Sequence, residues 1–210
     1  PMIGQVMGGG PVNPILSVRY NLANLLRFGG RESRAVFWPY AAFVFLLSML
    51  AMPAVMIPHF LSFGAQIRDF AASHPDQTTM AQGPGYYSVQ INGPTNEFHS
   101  ALSSDFRTMF FSMAVIVVVV VLLVAAAVVR RLHDRGLSGA WGLMPLPFLG
   151  YGLYAMPGLF SMEDIDTSAF FMLFFNNMIY LGTLAALAIL LLGPSDGNAN
   201  RHGPAPDSDA

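Results

Sequence analysis

Residues 109–129 read MFFSMAVIVVVVVLLVAAAVV, and residues 130–141 continue RRLHDRGLSGAW. In the first of these stretches Ser112 is the only polar side chain among twenty-one residues. About 20 residues rising 1.5 Å each cover the hydrocarbon core of a bilayer, so the run predicts a transmembrane helix. Directly after it, Arg130, Arg131, His133, Asp134 and Arg135 place five ionisable groups within six residues. Such a cluster does not continue into lipid, and it marks one face of the membrane.

The rest of the chain agrees with a membrane class. Apolar residues make up 54% of the 210 residues and charged ones 10%, with a mean hydropathy of +0.51. A soluble domain carries about a quarter charged residues. All cations are Arg and none is Lys, a bias that codon composition explains without special guanidinium chemistry. Without Cys there is no disulfide and no thiolate metal site. Residues 1–14 show neither a basic nor an apolar leader segment, so the first apolar run is expected to act as an uncleaved anchor.

Four charge-free windows predict an all-α, four-helix transmembrane domain over 36–192, with spans at 36–57, 109–129, 140–160 and 169–192. The third window has Gly or Pro at seven of its twenty-one positions and reads as a kinked or partly unwound span, or as a re-entrant segment. Arg19, Arg27, Arg31, Arg34, Arg130, Arg131, Arg135 and Arg201 then share one side, against Arg68 and Arg107 on the other. The acidic turn of Glu163, Asp164 and Asp166 falls on that second side. The positive-inside rule predicts that segment 1–35 and tail 193–210 are cytoplasmic, and that loop 58–108 is external.

Two amphipathic stretches are expected on the membrane surface. Asn13 and Pro14 read as an N-cap and first helical residue, followed by Ile15, Val18, Leu22, Leu25 and Leu26 on one face. Phe60, Phe63, Ile67 and Phe70 form a similar stripe. Each would lie in the interface, or pack against the bundle. Within the rest of the loop, 86–91 reads as a short strand.

Three blocks in order carry a family resemblance. Residues 130–141, residues 28–38 (FGGRESRAVFW) and residues 197–206 (GNANRHGPAP) together resemble the bacterial inner-membrane family known as domain of unknown function 805. His202 stands where that family usually has Tyr, Ala140 stands where a second Trp is common, and the external loop looks like an insertion. The resemblance implies a small multi-pass protein of the bacterial inner membrane and brings no reaction with it.

The candidate polar cluster comprises Arg31, Arg34, Arg130, Arg131, His133, Asp134 and Arg135. Helical spacing lets Asp134 pair with Arg130 or Arg131, and Gly136 suits the residue just past a helix end. A capped helix end that holds topology explains much of this, although topology requires neither Asp134 nor His133. A second network is available in Arg31, Glu32, Ser33 and Arg34, and the joint surface suits an anionic headgroup, a phosphate or an acidic partner peptide.

Catalytic signals are missing: there is no H-E-x-x-H, no G-x-S-x-G around Ser138 and no P-loop. His59, His74 and His99 are too widely spaced for a ligand motif, and Asp164 with Asp166 reads as a solvated pair. No ionisable residue lies inside a window, which argues against an ion-coupled pump. Asn176 and Asn177 read as interhelical hydrogen-bonding groups, and Gly182 with Ala186 as a close-packing pair. The expectation is a non-enzymatic membrane protein without cofactor, metal or nucleic acid, whose arginine-rich face engages anionic lipid, a protein partner or a second copy. A small-solute transporter or channel at the third span is the alternative.

Overall fold

A computed structural model describes residues 13–84, 86–92, 96–159 and 166–205. Glu163 and Asp164 of the acidic turn and Pro206 of the tail block lie outside the described residues, as does the His99 side chain. The chain is mostly helical. Three helices are long and apolar enough to cross a membrane.

Helix α1, Pro14–Ala23, starts as the sequence requires: the Asn13 side chain accepts from the Ile15 N–H at 2.9 Å, with Pro14 at the first position. Its buried residues, however, are Ser17 and Asn21. Of the expected stripe, Val18 packs against the core, whereas Ile15, and Leu26 just past the helix, stand 68% and 90% exposed, so the helix turns a polar face inward and much of its apolar face out.

Helix α2, Arg34–Ser73, takes in the first window and continues well past it. At 1.5 Å per residue it is about 60 Å long, twice the hydrocarbon thickness. The stripe Phe60, Phe63, Ile67 and Phe70 is therefore the last third of α2 and not a separate surface helix. Pro53 and Pro58 lie inside α2 without ending it, and nothing else between 57 and 73 supplies a stop. Strands β1, Thr78–Gly83, and β2, Tyr86–Ile91, form an antiparallel hairpin that pairs Thr78 with Ile91 and Gly83 with Tyr86. Helix α3, Asn96–Asp134, begins thirteen residues before the apolar run and ends at the charge cluster.

The third window divides into a 3-10 turn, Gly139–Leu143, and helix α4, Leu146–Leu159. Fourteen residues rise only about 21 Å, and the unwound start matches its Gly and Pro content. Gly139 allows the turn to lie against α3, since a Cβ there would come 2.6 Å from Val129 Cγ1. Helix α5, Thr167–Leu192, is N-capped by the Asp166 side chain and fills the fourth window.

The buried core is small and sits at one end. Phe37, Tyr40 and Val44 of α2 pack with Ala127 and Leu132 of α3 and with Leu187 and Leu191 of α5. Elsewhere large apolar side chains such as Leu50, Phe111 and Ile189 face outward. A soluble protein does not expose so continuous an apolar surface, whereas lipid-facing helices do.

Candidate functional site

Three chain segments meet above that core: the turn before α2, the end of α3 and the tail after α5. The end of α3 shows how the meeting is built. Gly136, at φ 71°, stands just past the helix, its N–H bonding to the His133 carbonyl and that of Leu137 to the Leu132 carbonyl. This is a Schellman ending, as the position of Gly136 predicts. Arg130, Arg131 and Asp134 are thereby held in the last helical turns, and all three are buried to 1% exposure or less.

Asp134 lies between two arginines. It accepts from Arg131 Nη1 on one oxygen and from Arg31 Nε at 3.2 Å on the other. The expected pairing with Arg131 is therefore present. Arg130 turns away from Asp134, and its Nε donates to Glu32 Oε2 at 2.8 Å. Asn21 Nδ2 donates to the other Glu32 oxygen, also at 2.8 Å. The remaining Arg130 donors reach the carbonyls of Asn24 and Arg27 and the Asn21 side chain, with the guanidinium 5.7 Å from the Tyr20 ring centre. Burial pushes the Glu32 carboxyl above its ordinary value, against the opposing pull of the Arg130 charge and the bonds from Asn21 and Arg130.

The other arginine donors close the ends of the chain. The last carbonyls of α5 have no partner within their own helix. Arg131 Nε donates to the Leu191 carbonyl at 3.0 Å, its Nη2 to that of Gly193, and Arg135 to that of Leu190. Positive charge there also suits the negative end of the helix dipole. Arg31 donates to the carbonyls of Asn198, Asp196 and Gly203, which wraps the tail across the site. His133 points Nδ1 at the Gly30 carbonyl, 3.2 Å away, and stacks on His202 with ring centres 3.7 Å apart. His202 stands below its ordinary value through desolvation first and then the nearby charges of His133, Arg201 and Arg31, partly offset by a bond from the ring to the Leu137 backbone.

Among the described residues no buried side-chain nitrogen or oxygen lacks a hydrogen-bond partner. Of the seven candidates, Arg31, Arg130, Arg131 and Asp134 are buried, His133 and Arg135 are half-buried, and Arg34 is exposed. The buried arginines point inward because the turn carbonyls, the end of α5 and two carboxylates offer more than their number of acceptors. That corrects the expectation of a joint outer surface that includes Arg31, Arg130 and Arg131. Sequence reading missed Ser17, Asn21, Ser195 and Asp196 as members of the site. For Ser17 and Asn21 the available signal was their four-residue spacing on the face of α1 beside its apolar stripe. Ser17 Oγ donates to the Val36 carbonyl, and Ser195 Oγ accepts from Arg131 at 3.1 Å.

Comparison with curated proteins and with solved structures finds no match to either. A family model described as "Protein of unknown function (DUF805)" matches residues 25–204, which include the turn, the end of α3 and the tail that interlock here. The chain belongs to that family.

Proposed function

We propose that the chain is a four-pass, non-enzymatic protein of the bacterial inner membrane whose arginine end faces the cytoplasm and binds anionic lipid. The buried arginines support the fold of this end, and the lipid contact falls to α1 and its neighbours. One observation carries this reading. With Ser17 and Asn21 turned to the bundle, Ile15, Leu22 and Leu26 face outward beside the exposed Arg19 and Arg27. An apolar face flanked by arginines at the edge of a helix bundle suits the headgroup layer.

The path of the chain supports four crossings. Helices α3 and α5 both end at the arginine cluster, so the chain returns to the far end between them. The 3-10 turn and α4 supply about 10 and 21 Å of that return. Eight arginines at one end against Arg68 and Arg107 elsewhere support cytoplasmic termini. Reporters fused after Ala210 and within 78–82 should then report opposite compartments, and a shared compartment overturns the topology.

Native mass spectrometry tests the lipid reading. Retained phosphatidylglycerol should fall by about tenfold or more in Arg19→Ala/Arg27→Ala, since each basic residue near an anionic surface contributes about 1 kcal/mol. Equal retention in wild type and variant overturns it and leaves a protein partner as the occupant of this face.

A further inference from the structure

Adjacent asparagines on α5 have different fates. Asn176 is buried and its Nδ2 donates to the Phe148 carbonyl at 2.9 Å, joining α5 to α4. Asn177 points into a cavity of about 160 Å³ between α3, α4 and α5. Phe110 and Met113 of α3, Phe148 and Met156 of α4, and Asn177 and Tyr180 of α5 line it. Among the described residues neither the Asn177 amide nor the Tyr180 hydroxyl makes a side-chain hydrogen bond.

Depth makes this unusual. Asn177 lies ten residues from the start of α5 and fifteen from its end, about 15 and 22 Å along the axis. Headgroups and bulk water do not reach that level, and a polar group without a partner in hydrocarbon is costly. Asn177 and Tyr180, three apart, share one face of the helix and can donate to one oxygen. The rest of the wall is aromatic and thioether, which suits a flat ring. An apolar cavity of about 150 Å³ takes a single benzene ring, and this one is open on one side, so the substituents of a ring can extend into the lipid. Among the described residues no carboxylate, guanidinium or imidazole lines the space, so a charged occupant would lie unpaired there.

We propose that this cavity binds the ring of a neutral, lipid-soluble carbonyl compound, the chemistry of a membrane quinone, with Asn177 and Tyr180 donating to its oxygen. The site is independent of the arginine end and needs only that these helices lie in the bilayer. Gly152 opens the space from α4, where a Cβ would stand 3.7 Å from Asn177 Oδ1. A larger side chain at Gly152 would fill it.

Equilibrium binding of radiolabelled ubiquinone-1 to the chain in phospholipid nanodiscs tests the site. Saturable binding of one molecule per chain is expected above the partitioning into empty discs. Asn177→Leu/Tyr180→Phe should weaken it by about tenfold or more, as loss of two hydrogen bonds implies. Gly152→Leu should abolish it, and p-xylene, a ring without the oxygen, should compete at least tenfold less well. Partitioning equal to empty discs overturns the proposal. So does wild-type affinity in the double variant when it unfolds at the wild-type temperature, or equal competition by p-xylene. If Gly152→Leu fails to fold, the double variant and p-xylene decide between these outcomes.

Discussion

At the arginine end, Arg31, Glu32, Arg130, Arg131 and Asp134 are all buried, and their bonds join segments up to 172 residues apart. At the far end, α2 and α3 meet through one carboxylate, Asp105, which accepts from Ser62 Oγ at 3.1 Å and from Gln66, and through Phe63 and Phe106 with ring centres 5.5 Å apart. The first contact set excludes water and leaves no buried polar side chain unpartnered among the described residues. The second lies open, where water can replace each bond it makes. Net stability comes from hydrogen bonds that solvent cannot substitute, so the two ends should respond very differently to the loss of a single carboxylate.

Asp134→Ala gives the largest expected effect. It leaves Arg31 and Arg131 buried without their shared counter-charge and should lower unfolding stability in detergent by about 3–5 kcal/mol. A loss below about 1 kcal/mol would mean that water enters the site and that the contrast between the ends is false. Next is Gly139→Ala, whose Cβ would meet Val129 and should cost about 1–3 kcal/mol by forcing the 3-10 turn off α3. An unchanged melting temperature would show that this contact is looser than drawn. Asp105→Ala at the far end should cost less than about 1 kcal/mol. A loss equal to that of Asp134→Ala would remove the distinction between the ends.

The smallest effect concerns pH. His202 holds its proton less readily when folded than its ordinary value of 6.5 implies, so acid favours the undocked tail. The contribution of the His133–His202 stack is complete above about 6.5 and declines as the pH falls from there. Amide exchange over 196–203 should quicken between pH 7 and pH 5.5 in wild type, and less so in His202→Phe. Identical pH profiles would refute the assignment to His202.

What was legible in the sequence was local. The helical class, the Asn13 cap, the strand at 86–91, Gly136 past the end of α3 and the three-residue spacing of Arg131 and Asp134 all depend on near neighbours. What was not legible depends on which face turns inward. In water an apolar stripe identifies the packed face, but beside lipid an apolar face can equally well be the outer one. On α1 Ile15 and Leu22 face outward, while Ser17 and Asn21 are hidden and Val18 of the same stripe packs against the core. The pairing of Arg130 with Glu32 rather than Asp134 likewise depends on a turn 98 residues away, which no helical spacing reports. The continuation of α2 to Ser73 was not legible either, because the mixed stripe from Phe60 to Phe70 reads equally well as a separate surface helix or as an extension of the first span.

Arg31 is made early and waits for carbonyls that are made last. Asn198, Asp196 and Gly203 leave the ribosome only after α5, and until then the Arg31 guanidinium has at most the Asp134 carboxylate and carbonyl to meet. The same holds for Arg131, whose bonds to Leu191 and Gly193 complete the end of α5. Assembly at this face therefore runs on the clock of translation: insertion of the helices can proceed in order, but closure cannot precede the tail. A chain cut short after α5 would leave the Arg31 and Arg131 guanidinium groups without the tail carbonyls that complete their bonds.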